Sequence, residues 1–191
     1  MNITELKKLR ERVARASAAV SKKDAEGFTQ ALNSQTEEKL VVQGMKSPDQ
    51  LEDELLNLCV WIWSMKDYLK TLAVANGHTK QDIEEIVNNN DDLAIVGDIA
   101  NRAKHGTLEK TRSGDYAKLS NVGYSINQTA IDSISFGESE ITLDVGKPED
   151  AKFHASIVFE SGNRDPIDDA FPVIANALTA WETHAYSLAG A

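Results

Sequence analysis

A chain of 191 residues, 41% hydrophobic and 26% charged, has the make-up of a folded protein with one well-buried core. Its net charge of −10 is unevenly spread, with 14 basic against 17 acidic side chains in residues 1–106 and 6 against 13 in residues 107–191. Such acidity excludes broad, non-specific nucleic-acid binding, and the lone cysteine excludes an internal disulfide or a multi-cysteine metal site.

The first elements read as helices. In "TELKKLRERVARASAAV" Thr4 is a plausible cap, and Leu6, Leu9, Val13 and Ala16 fall at helical spacing. The more polar stretch Ala25–Gln43 is expected to form a second helix. "SPDQ" is the clearest start signal: Ser47 caps, Pro48 suits the first helical position, and Gln50 is placed to complete a capping box. The helix it opens runs to about Val74, with Gly77 as a stop. Its middle, Leu55–Met65, is apolar nearly all round, so it is expected at the centre of the bundle, with Cys59 a small buried residue there. Thr79 and the Asp91–Asp92 pair open two further helices, and Gly106 closes the last.

Past Gly106 the period changes from helical to two. Val122, Tyr124 and Ile126 alternate, as do Ile141, Leu143 and Val145, and then Phe153, Ala155, Ile157 and Phe159. This pattern predicts an antiparallel sheet of three or four strands with one face covered. "RDPIDDAFPVIANALTAWETHAYSL" returns to helix, with Asp165 as cap; Pro172 either bends its first turns or delays its start. The expected fold class is therefore α+β. A helical bundle of about five helices (1–106 and 165–188) carries a small antiparallel sheet (115–162) inserted before the C-terminal helix, all in one domain. No apolar run approaches the roughly 20 residues of a membrane span and no signal-peptide core is present, so the expected setting is the cytoplasm, with no membrane partner.

One stretch departs from the ordinary amphipathic pattern. In "GDIANRAKHG", Asp98, Asn101, Arg102 and His105 are three, four or seven residues apart and share a helix face. Unpaired and dry, each polar group would cost roughly 1–3 kcal/mol, so the cluster needs partners or a wet pocket. Asp67, where the central helix turns polar, is the expected partner of Arg102, Lys104 or His105. This structural reading is a clasp between two helices, lining at most a ligand or partner site, and it makes His105→Ala destabilising. The alternative is nuclease chemistry. His105 would take a proton from an RNA 2′-hydroxyl and return one to the leaving oxygen, Asn101 would orient the phosphate, and Asp98 would set the histidine tautomer. Neither reading calls for a metal or other cofactor: His78, Asp98 and His105 match no ligand spacing, and no phosphate loop or nucleophile elbow occurs.

The pairing of "WIWSMKD" (Trp61 to Asp67, W-x5-D) with "DIANRAKH" (Asp98 to His105, D-x2-N-x2-K-H) resembles a group of bacterial and phage-associated proteins, a likeness that implies no particular reaction. The helical half is also distantly similar to HEPN domains, many of which are metal-independent ribonucleases of toxin–antitoxin and phage-defence systems. Their motif is an arginine, a polar residue, three variable residues and a histidine. Asn101 and His105 match the last two conserved places, while Ala100 stands where the arginine belongs. That resemblance implies either a ribonuclease or an inactive, nucleotide- or RNA-binding relative, working as a homodimer that brings two His105-bearing helices together. A protein partner remains the other expectation, through an edge of the sheet.

Overall fold

The computed structural model describes residues 3–33 and 37–190. Helix α1 (Ile3–Ser21) buries the expected stripe, Leu6, Leu9, Val13 and Ala16, and extends it to Val20. Helix α2 (Pro48–Ala75) starts where the sequence says: the Ser47 side chain accepts the Gln50 N–H, and Pro48 occupies the first position. The reciprocal half of a capping box is not formed there, because the Gln50 amide turns to Glu54 instead. A complete capping box does open α3 (Lys80–Asn88), built by Thr79 and Asp82. Helix α4 (Asp91–His105) is capped by Asn90 and ended by Gly106, at φ 75°.

The expected helix over Ala25–Gln43 is absent. Its described residues form two strands, β1 (Asp24–Ala31) and β2 (Lys39–Met45), paired antiparallel; residues 34–36 lie outside the description. Two features favour strands. The apolar, partly β-branched run Leu40–Val41–Val42 lies in a strand paired on both edges, with β1 and with a later strand, and Gly27 holds φ 125°, where any side chain would run into the Val42 carbonyl.

The sheet region also departs from expectation. Strands β3 (Ala117–Ser125), β4 (Ile131–Phe136), β5 (Glu140–Val145) and β6 (Lys152–Phe159) do not make one antiparallel sheet. β3 and β6 pair with each other, while β4 and β5 join the N-terminal hairpin in a four-stranded mixed sheet of order β1-β2-β5-β4. Its central pair is parallel, with Val42 opposite Leu143. The second sheet is therefore only half an insertion before the C-terminal helix.

Two apolar clusters result. The larger joins the helices to Ala117, Leu119, Ala155, Ile157 and Phe159 of the two-stranded sheet. The smaller sits between the sheets, where Val42, Met45 and Val145 meet Tyr124 and Phe153. Lys46, 2% exposed, ties the hairpin to the helices by donating to the Ala19 carbonyl at 2.7 Å and to Glu54 at 2.5 Å. Helix α5 (Ala170–Ala180) starts late, capped by Asp169 instead of Asp165, which leaves Pro172 in its first turn where no amide donor is missed. A π-helical turn, Trp181–Ala185, and the short α6 (Tyr186–Leu188) follow, and the Trp181 indole N–H donates to the Ile62 carbonyl at 3.0 Å. Among the described residues, no helix is long and apolar enough to cross a membrane.

Candidate functional site

Helix α4 approaches α2 closely because Gly97 has no side chain. A Cβ there would lie 2.8 Å from the Trp63 ring. That contact rotates the next residue, Asp98, into the interior, where it is 0% exposed. Its carboxylate accepts four hydrogen bonds from the loop after the helix. The Arg112 N–H donates at 2.5 Å, Ser113 donates through its hydroxyl at 2.6 Å and its N–H at 3.3 Å, and the Thr111 hydroxyl completes the set. The same hydroxyls shape the turn: Thr111 Oγ1 accepts the Gly114 and Tyr116 N–H groups, and Ser113 Oγ accepts that of Asp115. Tyr116, held at φ 57°, is a strained backbone position that this network over-determines.

The rest of the stripe fans outward from that buried end. Asn101 and Arg102 are half-buried, and His105 is exposed. Arg102 donates to Glu160 at 2.7 Å, and Lys118 donates to the same carboxylate at 2.9 Å; the two hydrogen bonds hold the Glu160 carboxyl below its ordinary range. Asn101 and His105 line an open groove with Thr107, Leu108, Glu109 and Lys110.

Asp67 takes no part. It lies on the exposed side of α2 and meets none of Arg102, Lys104 and His105, whereas Lys104 reaches Ser64 at 3.5 Å. At their contact α2 offers α4 the Trp63 ring packed on Gly97, an apolar surface, and Arg102 is drawn to Glu160 instead. A clasp exists, but it joins α4 to a loop and not to α2.

A second polar cluster was not singled out from sequence. Glu84 of α3 receives Lys70, the Arg112 guanidinium at 3.0 Å and Lys66 at 3.8 Å. The Trp63 ring lies beneath two of these cations, with Lys66 Nζ at 4.2 Å and the Arg112 guanidinium at 5.8 Å from its centroid. Burial pushes the Lys66 ammonium below its usual range, opposed by Glu84. For Glu84, burial pulls upward, but the Lys70 hydrogen bond and the neighbouring charges outweigh it and hold the carboxyl low. Arg112 thus serves both clusters, its backbone binding Asp98 and its side chain binding Glu84. "TRSGD" is recognisable in sequence as a turn, but nothing local marks it as the partner of a carboxylate thirteen to fifteen residues earlier.

Further concavities lie away from α4. Two adjoining cavities, of 620 and 640 Å³, run between α1 and α5 and share Ser17, Ser21 and Leu178. Among the described residues, no group of three or more His, Cys, Asp and Glu side chains is gathered as metal ligands.

No family model, curated protein or solved structure matches the chain.

Proposed function

We propose that this is a cytoplasmic interaction protein in which the α4 polar cluster is structural and the four-stranded sheet is the working surface. One observation carries the reading. Cross-strand pairing aligns Phe28, Val42, Leu143 and Ile134 in one row and Gln30, Leu40, Ile141 and Phe136 in the next, on a single face. Tyr124 and Phe153 cover the inner end of that face. At its outer end Phe136 is 77% exposed, Ile134 51% and Leu32 49%. The opposite face is mainly polar: Thr29, Thr142 and Ser135 flank Val41, and Lys39 stands beside Glu140. A contiguous apolar patch on one side of a sheet is a place for a partner.

The occupant favoured is a second copy of the chain. Two twisted sheets stack face to face with their strands nearly aligned, and a two-fold arrangement covers both patches at once. Four strands spaced about 4.8 Å, with roughly four residues each in the open part, outline a few hundred Å² per copy. That size corresponds to a weak, reversible dimer. Charges of both signs stand at the outer end, where Lys39 and Glu138 line the same concavity as Phe136, so the pairing rests on apolar burial and should change little with salt. Sedimentation over a concentration series tests this: the protein should self-associate, and Phe136→Asp should leave it monomeric. A wild-type protein monomeric throughout would refute the dimer.

A second reading has its own support. Asn101 and His105 share the wall of an open groove with Lys110, which supplies a base, an orienting amide and a cation within one concavity. This would suit a HEPN-like ribonuclease, or a relative that binds RNA or a nucleotide without cleaving it, with Lys110 in place of the arginine missing at Ala100. RNA cleavage lost in His105→Ala would favour it.

A further inference from the structure

We infer that the trough between α1 and α5 is a binding site for a single-chain amphiphile with a neutral, hydrogen-bond-accepting head, such as an acyl ester or acyl amide. The two adjoining cavities extend from Arg10 to Ser21 along α1, a length of about 17 Å at 1.5 Å per residue, and on to Lys23 beyond its end. Their floor is α2, through Leu55, Leu58, Ile62 and Met65. Each is of the size that small-molecule sites have, and both are mainly apolar, as an alkyl chain requires.

The independent observation is Tyr186. It lines the first cavity, is 7% exposed, and its hydroxyl is buried with no hydrogen-bond partner. An orphaned donor of this kind is costly in a folded protein and calls for an acceptor. Burial also raises the phenol to about 12, so it remains a proton donor at neutral pH. Two other hydroxyls on the walls are engaged locally: Ser21 donates to the Ser17 carbonyl, and Thr179 donates to that of Ala175.

Charge selects the head group. The cations that line the trough are already engaged. Arg10 lies 4.7 Å over the Tyr186 ring and 3.9 Å from Glu182, while Lys23 donates to the carbonyls of Glu149 at 2.8 Å and Ala151 at 2.5 Å. With Glu11 also on the wall, the Tyr186 end carries one cation against two carboxylates. A fatty carboxylate would meet net repulsion there, whereas a carbonyl would accept from Tyr186 without bringing charge. This inference is independent of the sheet-face dimer.

The test uses methyl-labelled methionine spectra of the full chain, titrated with 1-palmitoylglycerol below its aggregation limit and, in parallel, with palmitate. Met65 lines the trough and Met45 lies in the second apolar cluster, so one spectrum holds both probe and control. The palmitoylglycerol titration should move the Met65 methyl saturably and leave Met45 in place. Palmitate should bind at least several-fold more weakly. Tyr186→Phe, which removes an unpartnered oxygen and leaves the ring, should fold normally and lose about ten-fold in affinity, the effect of one hydrogen bond. Leu178→Trp, checked for folding by the unchanged Met45 signal, should block binding. An unmoved Met65, equal binding of both lipids, or full affinity in Tyr186→Phe would each overturn the proposal.

Discussion

Asp98 and Arg112 lie fourteen residues apart, and the buried carboxylate of the first accepts the backbone N–H of the second at 2.5 Å. With Thr111 and Ser113 donating to the same group, one helix residue holds the whole connection between α4 and β3. A buried acid satisfied by four donors is a fixed point of the fold, and it organises the turn that also aims Arg112 at Glu84.

Removing that fixed point should be expensive. Asp98→Ala leaves two backbone donors and two hydroxyls without an acceptor in a closed space, at a cost of about 2–4 kcal/mol. Asp98→Asn keeps the shape but turns an amide toward donors, so it should lose nearly as much. Urea denaturation measures both. Hydrogen exchange should show the Arg112 and Ser113 amides losing protection before the rest of the chain.

His105→Ala should change stability by no more than about 0.5 kcal/mol, because the side chain is exposed. This reverses what a clasp to Asp67 required. A melting temperature lowered by several degrees would mean that His105 has a partner after all. An RNA-cleavage assay on the same variant separates the two functional readings.

The Glu84 cluster should give the fold a distinct acid sensitivity. The folded-state carboxyl is held below its unfolded value, so the stability it contributes is present above the ordinary carboxylate range and is lost as pH falls through the lower folded value. Glu84→Gln should flatten stability against pH in that acid window. At neutral pH it should cost stability, since Lys66, Lys70 and Arg112 would then share one site unopposed. Lys66 has the opposite linkage. Its ammonium is depressed by burial, so stability should rise with pH through the interval between its folded and unfolded values. Lys66→Met should therefore be neutral or mildly stabilising. Thermal melts from pH 3 to pH 10 check all three claims.

Cys59 offers a reporter of global unfolding. Burial pushes its thiol up to about 12, and it is 0% exposed within the main core. Alkylation at pH 8 should proceed only through opening of the whole chain, at a rate that follows denaturant concentration. Rapid labelling under native conditions would show that α2 opens locally.

Much of the helical half is legible in the sequence because its signals act over three or four residues. Ser47 with Pro48, Thr79 with Asp82, and Gly106 at positive φ do their work within one turn, and the stripe from Leu6 to Ala16 needs only its own period. The segment from Ala25 to Gln43 misleads for the same reason: its polar residues fit a surface helix when read alone. What makes it strand is the pairing of β2 with β5, roughly a hundred residues away, which no local pattern encodes. The candidate site divides likewise. The helix period puts Asp98, Asn101, Arg102 and His105 on one side of α4 but says nothing of depth.

From its own residues, then, the chain determined where its helices begin and end, which strand positions alternate, and that α4 bears a polar flank. The fold alone decided that Asp98 holds a loop, that His105 faces solvent, that two strands from the first half complete a sheet from the second, and that the Tyr186 hydroxyl lies unpaired beside an apolar trough. Local preferences come from steric and hydrogen-bond terms between near neighbours. Burial and partner choice come from packing between segments far apart in the chain.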